Sequence, residues 1–164
     1  MGARSGALAK EFEIKAQEAR ATLQKLGDAD WRKVTEAEKW SVGVTAHHVA
    51  SALEVVPDVV RAVTAGRSLD GFELGRIDEI NARHAVDHAG CSKAETIELY
   101  DKGVTAAAAA IRELSDEDLT KSGTLATGVP PLTAEQIISL GLLNHIDEHF
   151  GSIRKTIGAK GEGR

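Results

Sequence analysis

Apolar residues in this chain recur every three or four positions, and no segment alternates apolar with polar over the length of a strand. A spacing of three to four is the helix period, so the chain is confined to helices that each bury one face. Leu8, Phe12, Ala16, Ala19, Leu23 and Leu26 form a stripe on a first helix ended by Gly27 and Asp28. Asp28–Lys39 reads as a polar connection containing Trp31. Trp40 and Ser41 open the second helix, with Ser41 as N-cap and a stripe through Val44, His48, Ala52, Val55, Val59 and Val63. Pro57 lies inside that stripe and predicts a kink, or a break near Val56, because proline removes a helix hydrogen bond. Gly66 stops the pattern, and Arg67–Gly75 is an irregular crossover. Arg76–His88 reads as a shorter helix ended by Gly90.

The remaining helices announce their own starts. Ser92 and Glu95 form a capping box ahead of Ile97, Tyr100, Val104, Ala107–Ala110, Ile111 and Leu114. The alanine run on this helix permits close approach by a neighbour. Lys121–Pro131, with its glycines and prolines, is a loop. Thr133 and Gln136 form a second capping box, followed by Ile138, Leu142, His145, His149 and Ile153 on one face, with Gly158 as the stop. The expected fold is all-α: a four-helix bundle with a long crossover connection. It is expected to be a single domain over 1–164, with a core of about 8–158 and a frayed tail. Hydrophobic residues make up 42% of the chain but aromatics only 4%, which suits a bundle packed through small side chains. Val55, Val56, Val59, Val60 and Val63 ring the second helix, and a helix apolar on more than one side predicts a homodimer through it.

Charge and motifs narrow the function. A net charge of −5 argues against nucleic acid as a partner. No apolar run approaches the roughly 18 residues of a membrane span, and no signal-peptide pattern opens the chain, so a cytoplasmic protein is expected. Cys91 is the only cysteine, which rules out an intrachain disulfide; it reads as incidental rather than nucleophilic. There is no Gly-x-Ser-x-Gly elbow, phosphate loop or cysteine-rich zinc motif. Glu36 and Glu38 read as solvated faces or helix-entry residues.

The histidines are the chemical signal. His145 and His149 are four residues apart, which puts both rings on one helix face about 6 Å apart at Cβ. On an apolar stripe, such rings must either hydrogen-bond to neighbours or hold an ion. His48 lies on the stripe of another helix, and bundles build metal sites from facing helices. His47, about 100° further round, reads as partly exposed. His84 and His88 also stand four apart, but among Arg83, Asp87 and Gly90 they read as a solvated helix end rather than a second metal site.

Trp40, Ser41 and Val42, with His48 eight residues after the tryptophan, resemble the second-helix motif of the DinB-like metalloproteins. That superfamily includes thiol-dependent S-transferases and the metal-binding domain of mycothiol-dependent maleylpyruvate isomerase. His145 and His149, followed by Gly151 and Arg154, resemble its last-helix motif, and Ile77–Asn81 resembles the segment that follows its second helix. The resemblance implies one divalent metal ion, zinc or nickel, held by His48, His145 and His149, in a homodimer acting on a small-molecule substrate. Asn81 is then a candidate for supporting the site. In the isomerase branch the first residue of the last-helix pair is Glu, and a C-terminal extension contacts substrate. His145 departs from that pattern and the chain ends at Arg164, so isomerisation is not the expected reaction. Three imidazoles leave an ion with its full charge and an open position, where water or a thiol ionises near neutral pH. The expected function is a metal-dependent S-transferase using a low-molecular-weight thiol. A metal-dependent hydrolase and a non-catalytic metal-binding stress-response protein are the alternatives.

Overall fold

A computed structural model describes residues 2–69 and 71–158. Its long helices are α1 (Ala3–Lys25), α3 (Val42–Thr64), α5 (Lys93–Glu113) and a last helical run from Ala134 to Ile157. That last run comprises α6 (Ala134–Ile138), a π-helical segment (Ser139–Asn144) and α7 (His145–Ile157). The short α2 (Asp28–Arg32) lies in the connection between α1 and α3, and α4 (Gly75–Asp87) lies in the long connection between α3 and α5. Two short strands, β1 (Ser122–Gly123) and β2 (Leu132–Thr133), pair antiparallel ahead of α6.

The start and stop signals act as their chemistry dictates. Ser41 accepts a hydrogen bond from the Val44 amide, and Ser92–Glu95 and Thr133–Gln136 both close reciprocal capping boxes. Gly158 ends α7 with a left-handed φ of 74°. The frayed tail expected beyond it lies outside the described residues. The break considered at Val56 does not occur: α3 runs unbroken through Pro57.

Both α1 and α3 pack against α5 and α7, so these two helices, successive among the long ones, sit diagonally across the bundle. Phe12, Leu23, Leu53, Tyr100, Ile138, Leu142, Ile146, Phe150 and Ile153 fill the centre. The alanine run of α5 meets α3 as its small side chains allow. A Cβ at Gly103 would stand 2.7 Å from the Leu53 Cβ, so the two backbones are as close as glycine permits. Of the valines ringing α3, Val60 and Val63 belong to this core, while Val55 is 60% exposed. Among the described residues, no helix is long and apolar enough to cross a membrane.

Candidate metal centre

The site starts from a ten-residue loop. Val34 and Ser41 form an antiparallel bridge, the Thr35 amide donates to the Trp40 carbonyl at 2.8 Å, and the Val42 amide donates to the Lys33 carbonyl at 2.8 Å. Lys39 turns the chain with a left-handed φ of 62°. This closed loop brings Trp40 edge-on to the His48 ring, 5.3 Å between centroids, and places Glu38 against α7. The Ser41 cap then fixes where α3 begins, and with it the directions of His47 and His48.

The structure brings His48, His145 and His149 together. The Nε2 atoms of His48 and His145 are 3.0 Å apart, and one ligand nitrogen from each ring lies within 4.8 Å of the others. Two imidazole nitrogens on one tetrahedral zinc stand about 3.3 Å apart, given bonds of about 2.0–2.1 Å. The observed spacing therefore suits one shared ion. Burial, reinforced by the neighbouring imidazoles, lowers His48 from its ordinary 6.5 to about 3 and His145 to about 4. Both rings are thus neutral at physiological pH, the form that ligates a metal.

Glu38 completes this cluster, and sequence reasoning missed it. Its Oε1 accepts from His149 Nδ1 at 2.7 Å, and its Oε2 accepts from Ser152 Oγ at 2.7 Å. The side chain is only 8% exposed, not solvated as expected. Burial works against its ionisation, but hydrogen bonds from Ser152, Thr35 and His149 together hold the carboxyl below its ordinary value. An ionised carboxylate can only accept, so His149 donates Nδ1–H, and in the neutral ring Nε2 is then the nitrogen that can face an ion. Thr35 is a local partner of Glu38, but the two that tie it to the site, His149 and Ser152, lie more than a hundred residues away, out of reach of a local pattern.

His145 and His149 do not sit at the centre of the apolar stripe, as the sequence pattern predicts. The π-helical segment shifts the phase, so the buried face of α7 is carried by Ile146, Phe150 and Ile153. The two histidines flank that face, half-buried, toward α3. Asp147 and Glu148 are exposed, and Asp147 pairs with Lys15. Asn81 lies on α4 one turn before His84, with no hydrogen bond to any of these histidines among the described residues. The Cys91 thiol is half-buried, and burial raises its pKa, which disfavours a nucleophilic thiolate.

The structure corrects the reading of His47 and gives His84 and His88 an unexpected partner. His47 is buried, 9% exposed, and its Nδ1 stands 3.2 Å from His84 Nε2. His88 stacks on His47 with centroids 4.0 Å apart. These three form a second compact group of ligand nitrogens within 4.8 Å of one another. The polar neighbours of His84 and His88 describe only the outer face of α4; the partner on α3 is set by the tertiary fold.

Residues 12–139 match the family model described as the mycothiol maleylpyruvate isomerase N-terminal domain. An uncharacterized protein from Clostridium difficile 630 has a similar structure, with a TM-score of 0.74 at 15% identity over 93% of this chain and 94% of that one. YfiT from Bacillus subtilis, described as a probable metal-dependent hydrolase with an unusual four-helix bundle topology, matches with a TM-score of 0.67 at 16% identity. That alignment covers 96% of this chain and 87% of YfiT. At such identities the two structures speak for the fold alone. No curated protein matches the chain. The family match takes in most of the bundle and both α3 histidines, and the fold agrees with it: the chain belongs to the DinB-like family of mycothiol maleylpyruvate isomerase N-terminal domains.

Proposed function

We propose that the chain binds a divalent metal ion through His48, His145 and His149, and that it acts as a thiol S-transferase using a low-molecular-weight thiol. The observation that carries this reading is the meeting of three imidazoles from two helices, two of them held neutral by burial, with Glu38 fixing the tautomer of the third. A zinc- or nickel-type ion bound by three neutral ligands would supply undiminished positive charge at an open position, where a thiol or water ionises near pH 7. The protein's own part is positional. Glu38 orients His149, Trp40 covers the edge of His48, and burial keeps His48 and His145 free of protons. In the transfer, the thiol loses its proton to solvent, its sulfur bonds to the electrophilic carbon, and the leaving group departs with the electron pair of the broken bond. The thiol-dependent family supports this reading. The description of YfiT favours a second one, metal-dependent hydrolysis.

The test is conjugation of bacillithiol, mycothiol or glutathione to chlorodinitrobenzene by untagged, metal-loaded protein, beside hydrolysis of ester and amide substrates. Conjugation above the uncatalysed rate, lost in His145→Ala, is the expected result. Hydrolysis without conjugation would replace the S-transferase reading with the hydrolase. Neither activity, with metal still bound, would leave a metal-binding protein without turnover.

A further inference from the structure

The helix α4 poses a packing problem. None of its residues is buried, and Leu74, Ile77, Ile80 and Val86, on it or just before it, are between 40% and 75% exposed. Burial of an apolar face, the usual force that docks a helix, is nearly absent here. Ahead of it the Thr127 amide donates to the Phe72 carbonyl at 2.8 Å, and two further features tie the helix and its far end to the bundle. Just past its end, Trp31 Nε1 donates to the Cys91 carbonyl at 2.9 Å. On its inner face, His84 and His88 meet His47 of α3.

Three imidazoles are a poor adhesive by themselves. His47 and His84 exchange one N–H···N contact at 3.2 Å, and Ser51 Oγ reaches His47 Nδ1 only at 3.5 Å. The rings are nevertheless drawn in closely, with centroids 4.0 Å apart for His47 and His88 and 4.5 Å for His84 and His88. We propose that His47, His84 and His88 form a second divalent-metal site, and that its ion clamps α4 onto α3. The i,i+4 spacing on α4 supplies two ligands from one helix face, and α3 supplies the third. The set contains imidazole nitrogens and no carboxylate. It therefore suits a first-row transition ion such as zinc, and not calcium or magnesium, which take oxygen ligands. His84 and His88 are only half-buried, so solvent can complete the coordination. The two triads share no residue: His47 and His48, consecutive on α3, serve opposite partners. They nonetheless adjoin, with the His48 and His84 rings 5.6 Å apart.

The experiment uses full-length untagged protein with zinc, and with cobalt as a spectroscopic probe. Bound metal per chain is measured together with amide hydrogen exchange over residues 75–91. Wild type is expected to bind two ions and to slow exchange in 75–91 when metal is added. The double variant His84→Ala, His88→Ala should bind one ion and lose that slowing. The double variant His48→Ala, His145→Ala should also bind one ion but keep it, which separates this site from the first. Should the α4 double variant fail to fold, His88→Gln, which preserves size and polarity, must by itself remove one ion. Wild type binding one ion that the α4 variants retain would overturn the proposal. So would two ions in those variants, or exchange in 75–91 that is indifferent to metal.

Discussion

Glu38 and His149 are joined by a 2.7 Å hydrogen bond in which the carboxylate holds the Nδ1–H of the imidazole. This contact couples the loop before α3 to the last helix. It also decides which nitrogen of His149 is available to an ion. Partners of this kind typically contribute 10–100-fold in metal affinity. Glu38→Gln should therefore weaken binding at the His48 triad by about that factor, as read by competition with a chelating dye. Ser152→Ala, which removes only the second hydrogen bond to Glu38, should weaken it less. Unchanged affinity in Glu38→Gln would mean that the carboxylate has no part in the site.

The clustered histidines set a pH dependence for the metal-free protein. The folded-state pKa values of His47, His48 and His145 lie near 4, 3 and 4, below the ordinary 6.5, with burial as the main cause. In the window between, the unfolded chain takes up protons that the folded chain refuses, so stability rises with pH. The contribution is complete above about pH 7.5 and is lost as pH falls from about 6.5 toward 4. Urea midpoints of chelator-treated protein should stay level above about pH 7.5 and fall between about pH 7 and 5. The slope should flatten in His48→Ala, and a flat wild-type profile would refute this account.

Gly43 lies under Trp31, and a Cβ there would stand 2.4 Å from the indole. Gly43→Ala must push the ring away, and with it the hydrogen bond to Cys91 that anchors the end of α4. Overpacking of this kind costs about 1–3 kcal/mol. The melting temperature should drop, and limited proteolysis should become faster between α4 and α5. Equal stability and equal cleavage would show that the contact is dispensable.

How much of this was legible in the sequence depends on how local the cause was. The helix period, the Ser92 and Thr133 caps and the Gly158 stop act within a few residues, so the bundle could be read directly. His145 and His149 were visible for the same reason: their proximity follows from one helical turn. Two features were not. The π-helical turn at Ser139–Asn144 changes the phase of the last helix, and the simple period cannot register it. The pairing of Glu38 with His149, and of His47 with His84, depends on which segments the tertiary fold brings together. A partial signal for the second cluster existed in the i,i+4 spacing of His84 and His88. Their polar neighbours outweighed it, because those neighbours face outward while the histidines face α3.

In the proposed site, one ion is shared by residues about a hundred positions apart in the chain. The most direct test of this sharing is elemental analysis of untagged protein carrying His48→Ala, His145→Ala or His149→Ala, with melting temperatures measured with and without metal. Each variant should bind one equivalent less than wild type. Each should also lose part of the metal-dependent rise in melting temperature, since an ion that binds only the folded chain stabilises it by mass action. If His48→Ala retains all the metal that wild type binds, with the same gain in melting temperature, then α3 and α7 do not share an ion and the assignment is wrong.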